Sequence, residues 1–205
     1  MRPWPRPEWL GRVGYRPTWE LQRARREAVI AGEQPEAVWL LEHDPVITTG
    51  RRPVEVLPDD VEVVRTERGG LATWHGPGQL VGYLILDVGA RGLGVKATIC
   101  GVERAIIRWL GGHGVEAGRR PGHPGVWVGR DKICAVGMHF RRGVSMHGFA
   151  LNLTADLSGF QAIVPCGITD GGVTSLQRLL GASPSPGEAA GDVGRVLVDT
   201  LGQRG

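Results

Sequence analysis

The apolar residues of this chain fall mainly into short extended runs, which limits the folds open to it. Ala37–Leu41 predicts a buried strand, and the β-branched segments Val46–Thr49 and Val61–Arg65 predict two more. The clearest helical period runs through Gly94–Leu110. Because strands and helices do not alternate regularly, we expect an α/β protein of the α+β type, with a mixed, largely antiparallel sheet flanked by helices.

The remaining segments complete this outline. Trp19–Ala31 predicts a first helix, with Leu21, Ala24 and Ala28 facing inward and its arginines facing outward. Further strands, the middle two joined as a hairpin, are predicted at Leu80–Val88, Gly125–Val128, Lys132–Gly137 and His147–Leu153. Irregular structure is predicted at Ser158–Ser175 and Ala182–Asp192, and a closing helix at Val193, Val196, Leu197 and Leu201.

Length and charge set broad bounds on function. The 205 residues predict a single domain, residues 1–205, with enough chain to bury a hydrophobic core. A net charge of +3 suits an acidic partner protein, but it is too weak to predict nucleic-acid binding. No segment resembles a membrane span or a secretory signal, so we expect a cytoplasmic protein without membrane association. No long apolar seam is left over in the sequence, so we expect a monomer.

Lysine is scarce in this chain. Of its 24 basic residues other than histidine, only Lys96 and Lys132 are lysines, and the rest are arginines. A lysine that survives such a bias is a candidate for a role that needs its amine. Arginine stays protonated near neutral pH, whereas a buried lysine can exchange a proton.

The three cysteines differ in their surroundings. Cys100 lies within the amphipathic helix and Cys134 within a strand, where a free thiol is usually a packing residue. Cys166 stands between Pro165 and Gly167, where a ligand can approach the backbone closely. From local features alone, Cys166 is equally consistent with a nucleophile and with a structural turn.

A cysteine nucleophile needs a neighbouring cation or base near neutral pH. The candidates are Lys132, His75, His123, His139 and His147, and their spacing along the chain leaves the choice open. The glycine-rich stretch Arg68–Gln79 predicts a binding loop, with an ordinary turn as the alternative. No spacing of histidine, cysteine and acidic residues predicts a metal site.

Four blocks of sequence resemble one family, the lipoyl(octanoyl) transferases. They are RGGLATWHGPGQLVGY at 68–83, GVWV followed by KICAVG at 125–137, HGFALNL at 147–153 and FQAIVPCGI at 160–168. They stand in the family's order, and the resemblance covers roughly residues 37 to 178.

The resemblance implies a fold related to biotin and lipoate protein ligases. It implies transfer of an octanoyl group from acyl carrier protein to a lysine of lipoyl domains, in 2-oxoacid dehydrogenase complexes and the glycine cleavage H protein. Cys166 would carry the acyl group as a thioester and Lys132 would activate it, without ATP, metal or cofactor. The implied substrate-binding residues are Arg68, Gly69, Gly70, Leu71, Ala72, Thr73, Trp74, His75, Ala135, Val136, Gly137, Gly148, Phe149 and Ala150.

This chain departs from the family at two positions, and three other functions stay open. Trp74 stands where the family usually has tyrosine, and Cys134 where it usually has alanine or serine. Cys134 could therefore compete with Cys166 for the role of nucleophile. The alternatives are an ATP-dependent lipoate or biotin ligase, a non-catalytic module that binds acyl carrier protein, and a Cys–His hydrolase.

Overall fold

The computed structural model describes residues 3–52, 61–163 and 171–203. The helices are α1 (Tyr15–Ala31), α2 (Val95–Gly111), α3 (Leu176–Leu180) and α4 (Pro186–Gly202), with a 3₁₀ helix at Leu157–Ala162. The strands are β1 (Pro7–Val13), β2 (Ala37–His43), β3 (Val46–Thr49), β4 (Glu62–Arg65), β5 (Ala72–His75), β6 (Gln79–Ile85), β7 (Gly118–Arg120), β8 (His123–Val128), β9 (Asp131–Arg141) and β10 (Val144–Asn152).

Seven of these strands form one large sheet in the order β1-β2-β6-β10-β9-β8-β7. Its strand pairs are antiparallel except β1 with β2, so the predicted mixed, largely antiparallel sheet is confirmed. A small sheet of order β4-β3-β5 contains the other three strands. Its β3 and β4 are parallel, whereas β3 and β5 are antiparallel.

The two faces of the large sheet pack against different helices. Helices α2 and α4 cover one face, where Leu84, Ile106 and Leu197 belong to the largest hydrophobic cluster. Helix α1 covers part of the other face, and Val29 packs there with Trp39. The cleft described below lies on the rest of that second face.

The inward face of α1 differs from the prediction. Leu21 is 48% exposed, whereas the polar side chains of Thr18, Gln22 and Arg26 are buried. Each has a partner: Thr18 donates to the Gly14 carbonyl, Gln22 accepts from a backbone amide of β10, and Arg26 bonds to a histidine of β9. The hydrogen-bond partners of these side chains therefore outweigh the apolar spacing, because a buried polar group with a partner costs little.

The C-terminal helix also differs, because Ala182–Asp192 is not wholly a loop. Helix α4 begins at Pro186, and the predicted closing helix is only its second half. The Ser185 hydroxyl accepts from the Glu188 amide, and the Glu188 carboxylate accepts from the Ser185 amide. This reciprocal capping box extends the helix into a segment of small residues. Strands β1 and β7 and the short helix α3 were not predicted.

Candidate active site

A cleft of about 1460 Å³ lies on the open part of the α1 face of the large sheet. Its floor consists of alternate residues of three neighbouring strands, namely Gln79, Val81 and Tyr83 of β6, Gly148, Ala150 and Asn152 of β10, and Ala135 and Gly137 of β9. Alternation of side chains along each strand directs them to one face. Because four of these residues are glycine or alanine, the middle of the floor stays open.

The wall opposite this floor is the glycine-rich segment Arg68–Gln79. It is not wholly the predicted loop, because Ala72–His75 within it forms β5 of the small sheet. Two neighbours fix its first half. The Gly69 amide donates to the Met138 carbonyl at 3.2 Å, and the Gly50 amide donates to the Leu71 carbonyl at 3.0 Å. A Cβ on Gly50 would lie 2.3 Å from the Gly70 carbonyl oxygen, so only glycine permits this close approach.

Arg68 holds the same segment through its side chain. Its guanidinium is buried and donates to the Thr48 carbonyl at 2.6 Å, to the Thr48 hydroxyl at 2.9 Å and to the Gly69 carbonyl at 3.0 Å. Burial lowers the pKa of Arg68. All three acceptors are neutral groups. Among the described residues, these hydrogen bonds therefore leave the positive charge of Arg68 available to a ligand oxygen in the cleft.

His75 is held in one tautomer by a chain of hydrogen bonds. The Gln79 amide nitrogen donates to the Trp74 carbonyl and to Asn152 Oδ1, which makes Gln79 Oε1 the acceptor of the 2.7 Å bond from His75 Nδ1. The chain continues from Asn152 Nδ2 to the Thr174 carbonyl. Burial lowers the pKa of His75 to about 3, and the neighbouring His43 lowers it further, so the imidazole is neutral.

Lys132 reaches the cleft because of a β-bulge between β8 and β9. Val126 pairs with Cys134 and Trp127 pairs with Lys132, which leaves Ile133 as the extra residue. In a regular strand Lys132 and Cys134 would share a face. Here Ile133 and Cys134 are both fully buried in the core, whereas the Lys132 side chain lines the cleft. Burial lowers the pKa of Lys132, and the Glu103 carboxylate partly opposes that shift.

The cleft brings together almost all of the predicted substrate-binding residues, together with Lys132. They are Arg68, Gly69, Gly70, Leu71, Ala72, Thr73, His75, Ala135, Val136, Gly137, Gly148, Phe149 and Ala150. Trp74 is the exception, because its indole packs behind the wall against Phe160, with ring centroids 5.5 Å apart. Cys166 lies outside the described residues.

The other two cysteines differ in burial. Cys134 is fully buried in the core rather than lining the cleft, and burial raises the pKa of its thiol. A thiol held protonated in this way is a poor nucleophile. Cys100 is partly exposed on α2.

The histidines proposed as partners of a thiol are separated by the fold. His75, His123 and His147 line the cleft, whereas His139 bonds to Arg26 beyond it at 2.9 Å. His147 is buried with a left-handed backbone (φ 63°), and its Nε2 is 3.8 Å from Glu67 Oε2. Burial lowers the pKa of His147, so this imidazole is not readily protonated either.

Several polar residues of the cleft were missed by sequence reasoning. Tyr15 and Tyr83 line it, and Thr48 holds Arg68 from behind. Tyr15 comes from a segment with no distinctive pattern and Thr48 from a predicted strand, and nothing in their spacing indicates a site. Asn152 lies within the family block at 147–153, and Gln79, which hydrogen-bonds to it, is the last residue of the predicted loop.

Comparison with known proteins identifies the family. Residues 14–196 match the model of the lipoyl protein ligase A/B catalytic domain. The chain is 44% identical over 207 residues to the octanoyltransferase of Mycolicibacterium gilvum, covering 97% of this chain and 86% of that protein. The chain belongs to the lipoyl protein ligase A/B catalytic domain family. Within this family it is an acyltransferase of the octanoyltransferase kind, which transfers octanoyl groups in protein lipoylation.

Solved structures of the same fold include ligases as well. The bi-partite lipoate protein ligase of Thermoplasma acidophilum is 19% identical, with a TM-score of 0.69 over 97% of this chain and 84% of that one. The biotin protein ligase of Aquifex aeolicus is 12% identical, with a TM-score of 0.53 over 96% of this chain and 69% of that one. The predicted biotin/lipoate ligase-like fold is therefore confirmed for this family member. Among the helices of the described residues, none is long and apolar enough to cross a membrane.

Proposed function

We propose that the octanoyl group travels from acyl carrier protein to a lipoyl-domain lysine through a thioester on Cys166. In this proposal Lys132 is the acid/base partner of the thiol, and residues 68–75, 135–137 and 148–150 bind the acyl chain. The acceptors are the lipoyl domains of 2-oxoacid dehydrogenase complexes and the glycine cleavage H protein. One catalytic domain, residues 1–205, acts as a monomer.

One observation carries this proposal: a bulge turns one of the chain's two lysines into the cleft that the implied acyl-binding segments share. An amine whose pKa is lowered by burial can accept and return a proton near neutral pH. The competing thiol, Cys134, is protonated in the core. A nucleophilic thiol must also stay reduced, so the proposal includes a cytoplasmic site of action.

The first half-reaction moves the acyl group to the enzyme. The neutral Lys132 amine takes the proton of the Cys166 thiol, and the thiolate attacks the thioester carbonyl of the donor. A new C–S bond forms at Cys166, and the bond to the carrier's pantetheine sulfur breaks. The Lys132 ammonium returns its proton to that leaving sulfur, so one thioester and one thiol are exchanged for another pair.

The second half-reaction forms the amide. The neutral amine of the acceptor lysine attacks the acyl-enzyme carbonyl, and the C–S bond to Cys166 breaks. Lys132 carries the proton lost by the new amide to the departing thiolate. Because an amide is more stable than a thioester, this step is downhill and requires no ATP.

A ligase on the same fold is the main rival function. It would activate a free acid with ATP and would need no thiol. The relatives at 42–46% identity are named octanoyltransferases, whereas the ligase structures are below 20% identical and share the fold alone. This difference favours transfer from a thioester donor.

Intact mass spectrometry after exposure to octanoyl-acyl carrier protein tests the route. We expect one octanoyl adduct in the wild-type chain and in Cys134→Ser, and none in Cys166→Ser. An adduct lost only in Cys134→Ser would place the thioester on Cys134 and contradict the proposal. Amide formation that required ATP and a free acid would instead indicate a ligase, and free octanoate as the main product would indicate a hydrolase.

Lys132→Arg tests the acid/base role. The guanidinium keeps the positive charge but cannot give up a proton near neutral pH. We expect octanoyl transfer to a lipoyl domain to fall at least about 100-fold while the folded structure is retained. Near-normal turnover in Lys132→Arg would reduce the role of Lys132 to that of a fixed charge.

A further inference from the structure

The Lys132 side chain lies between two parts of β8. On one side its Nζ is 4.8 Å from the centre of the Trp127 ring, which is 3% exposed. The Trp127 indole is itself fixed, because its Nε1 donates to the His123 carbonyl at 3.2 Å. An ammonium at this distance from a buried indole face is attracted by the negative face of the ring.

On the other side the lysine stem lies against Gly125. A Cβ at this position would be 3.3 Å from Lys132 Cε and 2.5 Å from the Cys134 carbonyl oxygen, and Gly125 has φ +128°. Its amide donates to Glu103 Oε1 at 2.8 Å, and Glu103 is a buried residue of α2. Helix α2 therefore holds the backbone against which Lys132 packs.

The charges near Lys132 oppose its burial only in part. The Glu103 carboxylate favours the ammonium form. The guanidinium of Arg120 lies 5.2 Å from the centre of the same Trp127 ring. Cys134 is buried beside the lysine as a thiol, and His123 and Asp131 line the neighbouring cleft wall. Asp131 itself accepts from the Gly172 amide at 2.8 Å.

We propose that Trp127 and Glu103 are positioning residues that hold the Lys132 amine in the cleft and stabilise its protonated form. The proposal rests on the acid/base role of Lys132 given above. Burial alone weakens the hold of the amine on the proton it takes from Cys166. The indole face and the buried carboxylate together let Lys132 hold that proton until the leaving sulfur accepts it.

The scarcity of lysine makes a direct test possible. Labelling with [¹³C,¹⁵N]lysine gives side-chain NMR signals for Lys96 and Lys132 only, and Lys96→Arg assigns them. The pH titration of the Lys132 signal is then followed in Trp127→Leu, Trp127→Phe and Glu103→Gln. Glutamine keeps an acceptor for the Gly125 amide and removes only the charge. Trp39→Phe is the matched control, since Trp39 is equally buried at 3% and has Arg25 over its ring at 5.2 Å.

We expect Lys132 to bind its proton about tenfold more weakly in Trp127→Leu and in Glu103→Gln than in the wild type. In Trp127→Phe, which keeps an aromatic face, we expect the proton affinity of Lys132 to lie between that in Trp127→Leu and that in the wild type. In Trp39→Phe we expect it to equal the wild-type value. A Lys132 titration that is unchanged or moves to higher pH in Trp127→Leu would overturn the role of the indole. If that variant does not fold, Trp127→Phe and Glu103→Gln decide by the same criterion.

Kinetics provide the second readout. In Trp127→Leu and Glu103→Gln the limb of the pH–rate profile due to Lys132 should move to lower pH by the same amount as the NMR titration. We expect a lower kcat with little change in the KM for octanoyl-acyl carrier protein. The two proposals fail separately: a wild-type chain without a Cys166 adduct contradicts the thioester route, whereas an adduct with an unmoved Lys132 titration contradicts only the positioning role.

Discussion

Two glycines make room for the indole of Trp74. A Cβ on Gly76 would lie 2.2 Å from Cζ2 of the indole, and a Cβ on Gly159 would lie 2.3 Å from its Cε2 and Nε1. Phe160 packs on the same indole and also lines the cleft. The tryptophan that departs from the family pattern thus supports the cleft wall from behind, and its neighbours leave space for its full width.

At this residue scale we predict that Gly159→Ala destabilises the fold by about 1–3 kcal/mol, because the new methyl overpacks the indole. In a Trp74→Leu background the same substitution should cost at least about 1 kcal/mol less, which urea unfolding of the four variants measures as a coupling energy. Gly191→Ala in α4 is the control, since a Cβ there meets nothing within 4 Å. Equal costs of Gly159→Ala in both backgrounds would contradict the packing account.

The N-terminus of α4 is fixed by a hydrogen-bonded cap. Helix α4 carries Ala190, Val193 and Leu197 into the main core, and it begins five residues after Gly181 closes α3. Its capping box, Ser185 with Glu188, satisfies amides that have no partner within the helix. The first turn of α4 thereby stays helical despite its glycine, and Pro186 at the first position favours the helix.

At the scale of the element we predict that Ser185→Ala lowers the free energy of unfolding by about 1 kcal/mol. Ser185→Asp should restore most of that loss, because aspartate is also a good N-cap. Urea unfolding measures both variants, and octanoyl transfer should be unchanged in them. A loss of stability in Ser185→Ala that aspartate does not restore would mean that the hydroxyl has another role.

The elements also show how far the sequence determines the fold. Periodicity predicts β2, β3, β8, α2 and β10, because each has a regular apolar pattern that the core then buries. The beginning of α4 was predictable from Ser-Pro-Gly-Glu at 185–188, a capping signal that the small residues concealed. The inward face of α1 was not, since Gln22 and Arg26 are buried by partners on distant strands that no local pattern reveals.

The site follows the same division. The family blocks contain the residues of the floor and the wall, and Lys132 among them. The bulge at Ile133 and the contact of Lys132 with Trp127 depend on the pairing of β8 with β9, which periodicity alone does not fix. The placement of Trp74 behind the wall likewise depends on glycines far apart in sequence.

The buried imidazole of His43 connects the edge strand β1 to Tyr83 in the floor of the cleft. His43 Nδ1 donates to the Val13 carbonyl at the end of β1, and its Nε2 accepts from the Tyr83 hydroxyl at 2.7 Å. The Tyr15 ring of α1 lies edge-on to His43 and stacks on His75. This arrangement requires a neutral His43, because Nε2 must remain an acceptor.

At the scale of the whole molecule we predict a loss of stability in mild acid that depends on His43. Burial lowers the pKa of His43 from 6.5 to about 4, so the unfolded chain binds the proton first as the pH falls. The contribution of His43 is therefore complete above about pH 6.5 and is lost as the pH falls towards 4, by roughly 2–3 kcal/mol.

Urea unfolding between pH 7 and 4 should show a smaller decline in His43→Gln than in the wild type. Tyr83→Phe separates the hydrogen bond from the titration, because it lowers stability at every pH while the imidazole still titrates. If His43→Gln and the wild type declined equally, the acid sensitivity would belong to other groups.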